Sequence, residues 1–282
     1  MSAFTRRTLL TASAGAAALA LSSCGLADGK DEGPTEKDGV TTIVVGASPK
    51  PHAEILQFVQ DELAQEAGLS LKITQYTDYQ IPNQALNDGD LDANFYQTPN
   101  FLEQQEKEKG YDFHGFEGIH VEPMGLYSES LASLDEVPDG AKAAIANDPA
   151  NTGRGLALFE AAGLITLKEG VDVISATPAD IADNPKNIEF TTLEAAQIAR
   201  SLGDVDLGAV NGNYALEAGK SPKDDSLFLE PGEDSPYGNM LVVREADKDN
   251  EALVKLDELL HSDEVKAFIE ETYSDGSVIP AF

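Results

Sequence analysis

Residues 41–76 read TTIVVGASPKPHAEILQFVQDELAQEAGLSLKITQY, and this stretch decides the fold class. Thr41-Thr42-Ile43-Val44-Val45-Gly46 is a short β-branched run closed by glycine, the pattern of a buried strand. Pro51 then opens a helix, because proline's fixed φ and missing N–H suit a first turn. Ile55, Leu56, Val59, Leu63 and Ala67 follow the helical period, and Gly68 stops it. Leu71-Lys72-Ile73-Thr74-Gln75-Tyr76 alternates apolar and polar, as a half-buried strand does. A strand, a helix and a strand in succession point to an α/β layer fold.

The alternation continues downstream. Helices are expected at Pro82 to Asn87, Phe101 to Lys109, Gly155 to Ala162, Glu194 to Leu202, near Tyr214 to Glu217, and in two closing segments, Asn250 to His261 and Asp263 to Tyr273. Strands are expected at Leu91 to Tyr96, Val121 to Tyr127, Ala143 to Ala146, Ile188 to Thr192, Val205 to Val210, Leu227 to Leu229 and Met240 to Val243. Asn147 to Arg154 reads as a polar turn feeding the following helix. Strands separated by helices imply parallel or mixed sheets covered on both faces. Pro123 and Ser235-Pro236-Tyr237-Gly238 are candidate crossing points between layers.

Upstream, residues 25–39 (GLADGKDEGPTEKDG) carry no apolar period and read as a flexible tether. Before them, Arg6-Arg7 precedes an uncharged Leu- and Ala-rich run from Thr8 to Ser23, with small residues leading to Cys24, the sole cysteine. A basic start, a short apolar middle and small residues at the cut are the layout of a secretory signal spanning 1–23. The run is shorter than the roughly 20 apolar residues that span a bilayer. A cut before Cys24 resembles the lipobox of bacterial lipoproteins, so Cys24 is the expected lipidation site. Acyl chains at about 0.8 kcal/mol per buried CH₂ would then hold the protein on the extracytoplasmic side of the cell membrane. Arg6-Arg7 also resembles a twin-arginine export signal.

The chain carries a net charge of −31, and loss of 1–23 with its two arginines makes it −33. So acidic a chain is unsuited to nucleic acid, which needs clustered Lys and Arg, or to adsorption on anionic lipid. With no cysteine beyond Cys24, the fold has no internal disulfide, and a chain of this length can bury enough core without one. Motifs of catalysis are absent: no GxSxG, no P-loop, no GxGxxG and no HExxH. The four histidines, His52, His114, His120 and His261, are not spaced as helical ligand pairs. His114 and His120 are expected to face water from a Gly-rich loop, and neither a metal nor another cofactor is implied. Aromatic, amide and guanidinium groups do stand out near element ends: Tyr79, Tyr96, Phe101, Asn151, Arg154, Asn211 and Asn239. Singly each reads as core, cap or turn; together they suit an amphipathic pocket.

Several motifs, in order, carry a resemblance: Asp78-Tyr79-Gln80-Ile81-Pro82-Asn83-Gln84-Ala85-Leu86, Gly89 to Gln97, Phe101-Leu102-Glu103-Gln104-Gln105, Asn147-Asp148-Pro149-Ala150-Asn151-Thr152-Gly153-Arg154, Asn184-Pro185-Lys186-Asn187, Asn211-Gly212-Asn213-Tyr214-Ala215 and Ser235-Pro236-Tyr237-Gly238-Asn239. From Thr41 onward the chain resembles the NlpA/methionine-binding lipoprotein family, the solute-binding components of methionine ABC importers. The resemblance implies a two-lobed, periplasmic-binding-protein-like (type II) α/β fold with a ligand cleft between the lobes. Lobe one would comprise 40–128 plus 236–282, and lobe two 129–235. It further implies that Tyr79, Tyr96 and Phe101 surround the ligand side chain, that Arg154 takes the α-carboxylate, and that Asn151, Asn211 and Asn239 bond the amino acid backbone. Thr98 stands where methionine-binding members usually carry histidine, so the ligand is expected to be methionine, of either hand, or another amino acid or short peptide. The implied partners are that ligand, an ABC permease and the membrane through the lipid. A hydrolase on a similar scaffold is the alternative from another class, and lacks a visible nucleophile and base.

Overall fold

The computed structural model describes residues 33–282, so the expected signal segment and Cys24 lie outside the described residues. The chain first lays down β1 (Thr35–Lys37) and β2 (Val40–Ala47), then helix α1 (Glu54–Phe58) between two π-helical turns, Pro49–Ala53 and Val59–Leu63. There follow β3 (Leu69–Gln75), α2 (Ile81–Asn87), β4 (Ala93–Gln97), α3 (Pro99–Lys109), β5 (Phe113–Val121) and β6 (Gly125–Tyr127). The middle of the chain holds β7 (Lys142–Ala146), α4 (Pro149–Ala161), β8 (Thr166–Leu167), β9 (Ile181–Asp183), β10 (Glu189–Leu193), α5 (Ala195–Ile198), β11 (Leu207–Val210), α6 (Gly212–Glu217), α7 (Pro222–Asp225) and β12 (Phe228–Leu229). It ends with β13 (Gly238–Arg244), α8 (Glu251–Leu260), α9 (Asp263–Thr272) and β14 (Ile279–Pro280).

These strands sort into two mixed sheets. In the first, β2 runs parallel to β3 along its length and to β4 at its end, with Val45 opposite both Ile73 and Ala93. β13 then lies antiparallel between β4 and β5, and β14 closes the far side against β5. In the second sheet β7 is flanked by parallel β10 and β11, and β6 and β12 follow antiparallel. β8 and β9 form a separate two-stranded ribbon.

Each sheet has its own core. Ile43, Val45, Ile55, Leu56 and Val59 bury completely with Leu253, Leu256, Leu260, Val265 and Ile269 of the two closing helices. Leu126, Ile145, Leu156, Phe159 and Leu207 form the core of the second sheet. The apolar stripes at helical spacing therefore do what their periodicity predicts.

Four local expectations are corrected. Thr35–Lys37, expected in the tether, pairs antiparallel with Val40–Thr42, because the Asp38-Gly39 turn (both at positive φ) folds the chain back. Gly125–Tyr127, assigned to the first lobe by the 128 boundary, pairs with β11 and β12 in the second sheet. The chain thus leaves the first sheet between Val121 and Gly125, at the expected Pro123, and returns between Leu229 and Gly238. Asn147–Arg154 is not a turn throughout: α4 begins at Pro149, with the Asp148 side chain accepting from Asn151 N–H as its cap. Finally, residues 113–121 form a strand, not a loop. Gly115 suits the close packing there, since a Cβ would meet Met240 Sδ of the neighbouring strand at 2.6 Å and push that side chain aside.

Candidate ligand pocket between the lobes

The loop ends of the two sheets face one another across the crossings, and a narrow pocket lies there. All eight residues named from the sequence line it: Tyr79, Tyr96, Thr98, Phe101, Asn151, Arg154, Asn211 and Asn239. The first-sheet side supplies Tyr79 from the loop after β3, Tyr96 at the end of β4, Thr98 and Phe101 at the start of α3, and Asn239 on β13. The second-sheet side supplies Asn151 and Arg154 from the first turns of α4, and Asn211 as the residue preceding α6.

The aromatic wall is a mutual packing of rings. Tyr79 lies 5.9 Å from Tyr96, 5.7 Å from Phe101 and 4.9 Å from Tyr214, all tilted or edge-on. Such geometry matches the negative faces and positive edges of the rings. Tyr96 Oη donates to the Tyr79 carbonyl at 3.2 Å, and Tyr79 Oη donates across the cleft to Asn213 Oδ1 at 2.5 Å. Burial pushes both phenols well above their usual pKa, so they remain neutral donors.

On the opposite side the amides are chained. Asn211 Nδ2 donates to Asn151 Oδ1 at 2.8 Å, and Asn151 Nδ2 donates to Asp148 at 2.9 Å. Among the described residues, Asn211 Oδ1 is buried without a partner, as is Asn213 Nδ2. Thr98 Oγ1 donates to Asn100 at 2.6 Å, and nothing larger projects from that position.

Arg154 is held differently from expectation. Its Nε and Nη2 grip the Glu230 carboxylate at 3.1 and 2.5 Å, and Nη2 also donates to the Glu122 carbonyl at 3.0 Å. The Tyr237 ring covers one face at 4.0 Å. The two-pronged grip expected for a ligand carboxylate is thus made with a protein carboxylate, and Nη1 is left for anything in the pocket. Burial opposes the charge, but Glu230 outweighs it and keeps the guanidinium firmly protonated.

The sequence reading also missed part of the lining: His52, Gln97, Glu122, Gly212 and Asn213. Glu122 Oε1 accepts from His120 Nε2 at 2.8 Å, and His52 Nε2 stands 3.1 Å away. His52 Nε2 is also 3.0 Å from Asn239 Oδ1, so one proton serves two acceptors. His120 is wholly buried on β5 instead of facing water, because its strand is covered on both edges. Burial lowers the pKa of His52 to about 4 and of His120 to about 3, so both are neutral near pH 7. Burial raises the Glu122 pKa, while His52, Arg154 and the Asn213 N–H pull it back. The His52, His120 and Glu122 ligand atoms lie within 4.8 Å of one another, close enough to hold an ion, yet the separations are also those of ordinary hydrogen bonds. Gly212 permits this floor: a Cβ there would sit 2.8 Å from Glu122 Cβ. No spacing rule flags these residues, since His52, Glu122 and Asn239 are brought together only by the sheet.

Two α/β lobes joined by two crossings, with a polar and aromatic pocket between them, make a solute-binding protein of the type II periplasmic-binding class. Comparison with known proteins agrees. Residues 43–282 match the NlpA lipoprotein family. The methionine-binding lipoprotein MetQ of Bacillus subtilis (strain 168) is 39% identical, over 92% of this chain and 93% of that protein. The D-methionine-binding lipoprotein MetQ of Escherichia coli (strain K12) is 38% identical over 98% of each. A nutrient binding protein from Burkholderia cenocepacia, solved bound to methionine, is 41% identical with a TM-score of 0.81, covering 85% of this chain and all of that one. The chain belongs to the NlpA lipoprotein family.

Proposed function

We propose that this protein binds methionine, or an α-amino acid close to it, between its lobes and delivers it to an ABC importer. The observation that carries this reading is convergence: seven residues from six separate sequence motifs, with Thr98, line one cavity. The aromatic wall suits a thioether, which gains about 0.3–1.5 kcal/mol per ring contact. The amides and Arg154 Nη1 offer the donors and acceptors that an amino acid backbone needs. Closure of the lobes would shed water from the pocket, a hinge motion about the segments near 122–124 and 230–237. Tyr79 Oη to Asn213 is one bond that such closure makes or breaks. Cys24 as a lipidated residue, an extracytoplasmic position on the cell membrane and docking to a permease belong to the same proposal. It is a binding role without catalysis: the pocket histidine pairs with Glu122 and Asn239, not with a hydroxyl nucleophile.

Mass spectrometry of ligand retained through gentle purification, followed by calorimetry with L- and D-methionine, tests the proposal. Saturable binding of either isomer is expected. No binding of any amino acid by ligand-stripped protein would overturn it.

A further inference from the structure

The pocket contains two buried charged groups, and they are not in the same electrical situation. Arg154 is matched by Glu230 through two hydrogen bonds, so its charge is balanced within the protein. Among the described residues, Glu122 is not matched by a Lys or Arg of its own. Its carboxyl group meets the rings of His52 and His120 and the Asn213 N–H, and the Arg154 guanidinium hydrogen-bonds only its backbone carbonyl. Both histidines serve it as neutral donors. Burial raises the pKa of this carboxyl group, so a cation placed beside it would favour the ionised form and be held by it in turn. The hydrogen-bond count points the same way. Asn211 Oδ1 is a buried acceptor with no donor, and the single His52 Nε2 proton is divided between two acceptors. On the donor side, the pocket has Arg154 Nη1 and the unpartnered Asn213 Nδ2 to offer a ligand carboxylate. A buried carboxyl group with no Lys or Arg on it, in the same pocket as the open Asn211 Oδ1, is answered by an ammonium, with three donors and a positive charge.

We infer that Glu122 and Asn211 receive the α-ammonium group of the ligand, and that this group carries more of the charge recognition than the ligand carboxylate at Arg154. The inference rests on the proposed amino acid ligand and deepens it. It assigns to Glu122 a binding role that the motif resemblance did not give it, and it demotes Arg154 from sole anchor to a pre-positioned hydrogen-bond donor. The preferred substrate class becomes any small thioether or apolar compound bearing a primary ammonium, with the carboxylate a lesser requirement.

Two analogues separate the claims without adding bulk. Methylthiobutanoate is methionine without its ammonium, and methylthiopropylamine is methionine without its carboxylate. Calorimetry on the full chain, stripped of ligand, is expected to show the butanoate weakened by about a hundredfold or more and the amine by about tenfold, as loss of a buried ionic partner outweighs loss of one hydrogen bond. Glu122→Gln should weaken methionine by at least about tenfold and shrink the gap between methionine and the butanoate. An amine that binds more weakly than the butanoate overturns the inference while leaving methionine binding intact. So does a folded Glu122→Gln protein that binds methionine as tightly as the native chain. If that variant does not fold by circular dichroism, the order of the two analogues on the native protein decides the matter alone. Failure of methionine itself to bind would sink the proposed function and this inference together.

Discussion

The two sides of the pocket are built on opposite principles. The aromatic wall of Tyr79, Tyr96 and Phe101 is held by ring packing, and its phenols stay neutral over the accessible pH range. The polar floor of His52, His120, Glu122 and Arg154 is held by charges and shared protons in a space nearly closed to water. Dispersion contacts are individually small and tolerant of change. Buried charges are neither, because removing one partner leaves the other stranded. The wall is thus the part that can drift to suit a different ligand side chain, and the floor is the part that must stay.

Acid should separate the two most strongly. The folded-state pKa values of His52, about 4, and His120, about 3, lie below the ordinary 6.5. The unfolded chain therefore binds more protons between those values and 6.5, and stability rises with pH across that window. The contribution is fully present above pH 6.5 and is lost as the pH falls toward 4 and 3. Glu122, whose folded pKa is raised, acts in the opposite sense just above its ordinary 4.5 and offsets part of the loss. A net fall of several kcal/mol in unfolding free energy is expected from urea titrations at stepped pH. A flat profile would mean that the histidines are not held neutral in the floor.

Next in size is Arg154→Ala, which strands Glu230 and frees both crossing segments. A loss of about 3–5 kcal/mol in stability is expected by denaturant titration, with at least tenfold weaker ligand binding by calorimetry, a factor worth about 1.4 kcal/mol. On the wall, Phe101→Leu should cost only about 0.5–1.5 kcal/mol, the worth of its edge-on ring contacts. It should alter preference among ligand side chains while leaving the pH profile unchanged, which thermal melts at two pH values would check. Smallest is Tyr79→Phe, which deletes the hydroxyl bond to Asn213 across the cleft. About 0.5–1.5 kcal/mol of closure free energy is expected to go, seen as faster ligand release in stopped-flow fluorescence with little change in melting temperature.

The wall was legible in the sequence, and of the floor only Arg154 was. Tyr79, Tyr96 and Phe101 sit in local motifs beside strand and helix ends, so they could be named one by one. His120 lies in a strand whose sequence, FHGFEGIHV, hides its alternation behind two glycines and two histidines, and Glu122 comes just past its end. Glycine there serves close packing against Met240, which no local pattern encodes. Glu230 stands 76 residues from Arg154 and meets it only because β12 and β6 bring the two crossings side by side. The start of α4 was read as a turn for a similar reason. Asn, Thr and Gly are weak helix formers, but Asp148 caps the segment, and Gly153 lets it press against Val173, whose carbonyl a Cβ would overlap at 1.7 Å. The β-α-β opening suffered no such masking, since Ile43 to Val45 and Ile55 to Val59 bury on the faces their periods assign.

The chain order of the sheets has a consequence for biosynthesis. Residues 125–229 supply every strand of the second sheet in one uninterrupted stretch. The first sheet is split: β13, the strand that joins β4 to β5, is made only after that stretch is complete. As the polypeptide emerges, the inserted lobe has all its parts while its host still waits for a central plank. A chain cut short ahead of Gly238 would leave the host lobe in two unjoined halves, with the insert intact between them.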